Sequence, residues 1–225
     1  MTRPGLIVAA AALLAMPAAA TAATDWRKTV AATADGGIAI GNPKARVTLV
    51  EYGSLTCPHC RDFARDGEPV LLANYVRSGK VRFEFRNFVL NGYDLAATLI
   101  ARCGGPQRFQ SAKSRIFAEQ SKWIARIQGT APDRIRAVQS LPANRQLAAM
   151  ADIAGLKPLG VASGIPAARI DQCLADSAAA ERLAAFTRKA SAEQGVEGTP
   201  TFFLNGKRVD AHDWASLEPL IKAAL

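Results

Sequence analysis

The sequence reads as an α/β fold interrupted by a long all-helical segment. Val47-Thr48-Leu49-Val50-Glu51-Tyr52 is a β-branched run without surface-type alternation, the mark of an internal strand buried on both faces. From Asp94 to Gly195 strand-type runs disappear, and Ala, Gln, Arg and Leu dominate. Strand character returns at Thr201-Phe202-Phe203-Leu204 and Lys207-Arg208-Val209-Asp210, which flank Asn205-Gly206, the strongest short-range hairpin signal.

Taken in order, the chain opens with Arg3 as a positive n-region, an apolar stretch from Leu6 to Met16, and the small residues Ala20-Thr21-Ala22. This is the pattern of an export signal with an A-x-A cleavage site, too short to span a bilayer. Cleavage after Ala22 or Ala23 is expected to leave a soluble, periplasmic mature chain. A mixed stretch then leads to Gly36-Gly37-Ile38-Ala39-Ile40-Gly41-Asn42-Pro43, a short strand candidate ended by a turn. After the Val47 run a helix is expected from Pro58, interrupted near Pro69, with Val70, Leu71, Leu72 and Tyr75 continuing its apolar face. Val81 to Leu90, carrying Phe83, Phe85 and Phe88, is the next strand and completes a βαβ unit with a parallel pair. Helices are expected at Asp94–Cys103, Pro106–Trp123, Ala143–Ala154, Ala167–Ala175 and Ala179–Gln194, with breaks at Gly104-Gly105, Pro132, Pro142, Pro158 and Pro166. A last helix runs from Asp213, its N-cap, to about Ala224. The expected organisation is a signal at residues 1–22, an α/β body at 23–93 and 196–225, and the helical insertion at 94–195.

With 225 residues, 49% of them hydrophobic and 21% charged, the chain is large enough for a real core. Disorder, collagen-like repeats and a disulfide-only miniature scaffold are excluded on that ground. The formal net charge is +9, but the basic residues are scattered without a run, and export removes most of the case for nucleic acid. No nucleic-acid partner is therefore expected. Export also places the four cysteines, Cys57, Cys60, Cys103 and Cys173, where thiols are oxidised.

Cys57-Pro58-His59-Cys60 sits between the buried strand and a helix. Two cysteines at that spacing close a small ring reversibly when the first carries a stabilised thiolate. Cys57 falls near the helix N-cap, where free N–H groups and the positive end of the helix dipole favour an anion, and Cys60 falls in the first turn. Pro58 suits the first helical position, where a missing donor costs nothing. His59 can donate a hydrogen bond to the sulfur or, when protonated, place a positive charge beside it.

An export signal, Cys57-Pro58-His59-Cys60 after a buried strand, a helical insertion, and Gly198-Thr199-Pro200-Thr201-Phe202-Phe203 before a hairpin together resemble the DsbA-like branch of the thioredoxin superfamily. The resemblance covers nearly all of the mature chain. It implies a thioredoxin fold with an inserted all-helical domain and a protein thiol:disulfide oxidoreductase that needs no cofactor or metal. Cys57 would be the exposed nucleophile that forms mixed disulfides with clients, Cys60 the buried resolving cysteine, and Pro200 the cis-proline that faces the disulfide and presents the backbone of Thr199. Glu51, six residues before Cys57, would be a buried acid beneath the disulfide that accepts or relays the proton of Cys60; the alternative is a strand glutamate reaching solvent. The implied partners are unfolded exported clients and a membrane reoxidant of the DsbB type. One departure is Thr199, where the family prototype has valine, a choice shared with isomerase and reductase relatives. Oxidase and reductase or isomerase readings therefore both stand here. Only a dozen or so residues precede the first strand, too few for a dimerisation domain, so a monomer is expected.

Cys103 and Cys173 both belong to the helical region. A structural disulfide between them is the simplest of the three pairings that four cysteines allow, with two free thiols or an auxiliary redox pair as alternatives. A metal-binding module built on Cys57, His59 and Cys60 is the reading from another class. It lacks a fourth ligand, since neither Cys103 nor Cys173 has a ligand-like neighbour.

Overall fold

In the computed structural model, which describes Met1 and residues 24–225, six strands form one mixed sheet. Apart from Met1, the expected export signal lies outside the described residues. The strands are β1 (Val30–Ala32), β2 (Ile38–Ile40), β3 (Val47–Gly53), β4 (Val81–Asn87), β5 (Thr201–Leu204) and β6 (Lys207–Val209), in the spatial order β1-β2-β4-β3-β5-β6. β3 and β4 run parallel and every other neighbouring pair is antiparallel. The parallel pair is joined by α1 (Pro58–Asp66), a short α2 (Glu68–Val70) and a π-helical stretch at Leu71–Val76. The interruption expected near Pro69 is thus a local change of helical winding. β1 has no counterpart in the sequence reading: three residues give too short a window for a period to show, and it is formed by pairing with β2 at the sheet edge.

β3 is buried on both faces because two separate clusters flank it. Val47 and Leu49 join Phe63, Phe83, Phe85 and Phe202 in the main core, whereas Val50 and Tyr52 pack with Phe88, Ala190, Val196 and Phe203 on the opposite side. Glu51 alternates with Val50 and Tyr52, so the two-residue period of the strand aims it into the main core. Its neighbours in register are Phe85 on β4 and Phe202 on β5.

Between β4 and β5 the chain is helical: α3 (Gly92–Cys103), α4 (Pro106–Ala118), α5 (Gln120–Gln128), α6 (Pro132–Gln139), α7 (Ala143–Ala154), α8 (Lys157–Ala162), α9 (Ala167–Ala175) and α10 (Ser177–Gln194). Pro132 and Pro158, expected as breaks, instead sit in the first turns of α6 and α8. A proline there loses no helical hydrogen bond and starts a helix rather than ending one. The single helix expected over Pro106–Trp123 is two, parted at Glu119 (φ −97°, ψ 6°) with neither glycine nor proline at the break. The second segment is turned so that the buried Trp123 indole donates to the carbonyl of Ile116 at 3.0 Å. α3 starts two residues before Asp94, capped by the Asn91 side chain, which accepts from Asp94 N–H.

The hairpin turns at Asn205 (φ 48°) and Gly206 (φ 79°), both left-handed, as a two-residue turn between right-twisted strands requires. α11 (Trp214–Ala224) closes the chain behind a capping box in which Asp213 and Ser216 exchange hydrogen bonds.

Cys103 at the end of α3 and Cys173 in α9 form a disulfide, with Cα atoms 5.9 Å apart and a sequence separation of 70. Closing a loop of that length removes about 4 kcal/mol of unfolded-chain entropy. Replacing both cysteines by alanine should therefore lower unfolding free energy in urea by about 2–4 kcal/mol. An unchanged midpoint would show that the bridge adds nothing to stability.

Candidate redox site

α1 begins where β3 ends, and the turn between them puts Cys57 at the N-cap with extended backbone angles (φ −79°, ψ 124°). Its side chain makes no full capping bond, but the sulfur lies near enough to the first-turn N–H groups of His59 and Cys60 for them to favour its anion. Pro58 occupies the first turn; Pro58 and His59 are exposed, and Cys60 is fully buried. Both thiols of the pair are free. Across from them the Thr199–Pro200 peptide bond is cis, Pro200 is buried, and the Thr199 carbonyl accepts from Cys57 Sγ at 3.2 Å.

Cys57 is only 6% exposed, which corrects the expectation of an exposed nucleophile. The Thr199 carbonyl lies against its sulfur, so the attacking atom is reached only at a small accessible edge. The two thiols are driven in opposite directions. Cys57 is held down at about 5 by hydrogen bonding from Cys60 first, against the opposing cost of burial, and then by Thr199 and the backbone N–H groups of Cys60 and His59. Cys60 is pushed well above the usual thiol range, chiefly by burial and then by its bond to Cys57 and the charge of Glu51. At pH 7 the first sulfur is an anion and the second a thiol.

Glu51 is 1% exposed, and neither carboxylate oxygen has a hydrogen-bond partner. It does not reach solvent. Burial pushes its pKa up to about 8, with Lys113 pulling down and Glu68 and Cys57 pushing up, so at pH 7 it is mostly a neutral acid. Lys113 of α4 is itself fully buried, 4.5 Å from the Phe85 ring centroid and 5.5 Å from that of Phe83, and paired with the buried Glu68 of α2. Gln110 also donates to Glu68.

Sequence reasoning missed this pair and two further buried groups near Cys57, Asp94 and Gln120. A signal for Lys113 existed: it stands in the apolar stripe Phe109, Ala112, Ile116 and Phe117, where a charge needs a buried partner. Asp94 accepts from Leu55 N–H at 2.9 Å, Leu90 N–H at 2.9 Å and Ser54 Oγ at 2.6 Å, yet burial still lifts its pKa to about 6. Among the described residues, no group of three or more His, Cys, Asp or Glu side chains is arranged to hold a metal ion.

The family model described as Thioredoxin matches residues 33–223. This chain belongs to the thioredoxin family. Its architecture is a thioredoxin fold with a helical insertion, and 85% of it superposes on 98% of the crystal structure of a protein-disulfide isomerase from Novosphingobium aromaticivorans, with TM-score 0.80 and 34% identity. Wolbachia pipientis α-DsbA1 shares the fold at TM-score 0.64 and 22% identity, over 83% of this chain and 89% of that one. A putative protein-disulfide oxidoreductase of Rickettsia felis is 29% identical over 192 residues, which are 85% of this thioredoxin-family chain and 61% of the relative. The chain thus spans about three-fifths of the length of that relative.

Two outcomes follow from the charge states. A carboxyl whose pKa rises from its ordinary 4.5 to about 8 on folding contributes stability below pH 4.5 that is lost as pH rises through 8. Glu51→Gln should therefore raise unfolding free energy at pH 8–9 by about 1–4 kcal/mol and flatten that part of the pH profile, as read by urea melts. Equilibrating the Cys57–Cys60 pair with glutathione from pH 4 to 7 should show a potential falling by about 59 mV per pH unit below a break at about 5 and by about 30 mV above it. A single slope across that window would exclude a depressed Cys57.

Proposed function

We propose that this chain is a DsbA-like protein thiol:disulfide oxidoreductase that introduces disulfides into exported proteins in the periplasm. The observation that carries the reading is the asymmetry of the pair: Cys57 is favoured as thiolate, while Cys60 is buried and protonated. A thiolate held at about 5 at a helix N-terminus is a good leaving group and stabilises the dithiol form. Relative to an ordinary thiol at 9.0, the stabilisation at pH 7 is on the order of 2 kcal/mol after solvent screening, or about 40 mV. That moves the equilibrium toward handing the disulfide outward.

The chemistry balances as two exchanges. A client thiolate attacks Cys57 Sγ of the oxidised pair, the Cys57–Cys60 bond breaks, and Cys60 leaves as a thiolate that takes a proton; the neutral carboxyl of Glu51 is the candidate donor. A second client thiolate then attacks the client sulfur of the mixed disulfide, closing the client's bond and releasing the Cys57 thiolate. Two electrons have passed to the pair, so a reoxidant of the DsbB type must take them before the next turnover. The Thr199 carbonyl, 3.2 Å from Cys57 Sγ, loses that donor when the sulfur ionises and is the backbone acceptor an extended client segment would meet. His59, exposed two residues after Cys57, is available to that segment as well.

A second reading reverses the flow, as reductase or isomerase: Thr199 stands where the family prototype has valine, a choice shared with relatives of that kind. The redox state of the pair in the cell separates the two: mostly oxidised supports the oxidase, mostly reduced defeats it. Cys57→Ala should abolish oxidation of a reduced peptide substrate; residual turnover at the native rate would refute the mechanism. Thr199→Val removes the side-chain contact that lowers Cys57 and is expected to shift the glutathione equilibrium by up to about tenfold toward the disulfide, a less oxidising pair by about 30 mV.

A further inference from the structure

Residues 54–57, which carry Cys57 to the head of α1, are gripped from outside the α/β body. Gln120, the first residue of α5, is buried, and its side-chain amide donates to the carbonyl of Leu55 at 2.8 Å and to that of Cys57 at 2.9 Å. From α3, the fully buried Asp94 holds the same turn through Leu55 N–H and Ser54 Oγ, and Ser54 Oγ in turn accepts from Thr56 N–H at 3.1 Å. Both gripping side chains come from the helical segment between β4 and β5. Pro58 has no N–H, so the peptide that follows Cys57 offers no donor of its own, and its carbonyl end is anchored by Gln120 and by Arg61 N–H at 3.2 Å.

The stability of a thiolate at an N-cap depends on direction as well as distance, because the N–H groups of the first turn must point at the sulfur. Rotation of the Cys57 peptide plane moves the sulfur off that axis. We propose that Gln120 is a positioning residue of the redox site: by donating to two carbonyls against the hold of Asp94 on the other side, it fixes the backbone from which the Cys57 sulfur meets the N-terminus of α1. The helical segment therefore helps set how strongly that sulfur is stabilised. This deepens the proposed redox reading and rests on it, but its test reads the sulfur itself and needs no client.

Gln120→Met keeps length and removes both donors. In the full reduced chain, the titration midpoint of Cys57, followed by ultraviolet thiolate absorbance and by the pH dependence of iodoacetamide alkylation, should rise by about one unit from its native value. The equilibrium with glutathione should move about tenfold toward the disulfide, about 30 mV. Ile165→Val, in the core of the helical segment, serves as a control that lowers stability without touching residues 54–57, and should leave the midpoint where it is. A folded Gln120→Met chain that titrates at the native midpoint would overturn the proposal. If that variant does not fold, Gln120→Asn, which keeps the amide but withdraws it by one methylene, carries the same expectation and the same overturning result. Failure of the redox reading would look different, as thiol exchange that survives Cys57→Ala.

Discussion

A sulfur anion set against the N-terminus of α1 is the interaction on which the rest of the site depends. The first turn of any helix has N–H groups without intrahelical partners, and a residue at the N-cap can place an acceptor among them. Here that residue is Cys57, whose neighbour Pro58 contributes no donor and needs none. One turn further on, Cys60 has the same side chain and the opposite surroundings, closed into the core. Donors without full burial pull one thiol down, and burial without enough donors pushes the other up. The chemical difference between two identical residues is a difference of three positions along a helix.

The core beneath them is more polar than its apolar neighbours suggest. Glu51, Glu68, Lys113 and Asp94 are all almost wholly removed from water. Burying such groups is costly, and a buried ion pair such as Lys113–Glu68 is weak grounds for stability. Their common position is more informative: the ionisable groups of Glu51, Lys113, Glu68 and Asp94 lie close enough to the two cysteines or to one another to shift their titration. Three of the groups that shape that field or hold the Cys57 turn, Lys113, Asp94 and Gln120, lie on α4, α3 and α5. The helical segment is thereby a wall of the redox site as well as an addition to the sheet.

Much of the framework was legible. β3, the hairpin at Asn205-Gly206, α7, α9 and the Asp213 cap are all local patterns, written in residues within a few positions of one another. Prolines misled where they were taken as stops, because a proline in a helix's first turn and one beyond its end look alike without the cap geometry. The break at Glu119 had no local mark at all. It arises where Gln120 and Trp123 are drawn into the interior.

From the sequence alone came the period of each strand, the helical character of residues 94–195, and the pairing of a two-residue-spaced cysteine motif with a helix start, all consequences of short-range sterics and hydrogen bonding. Tertiary structure decided which groups lose water and which find partners. Cys57 is nearly covered because Thr199 lies against it from 142 residues away. Glu51 is neutral because burial between its two flanking strands removes it from water, and the Cys57 turn is held by partners 39 and 65 residues distant. Desolvation and electrostatic potential are sums over everything nearby in space, and no window along the chain contains that sum.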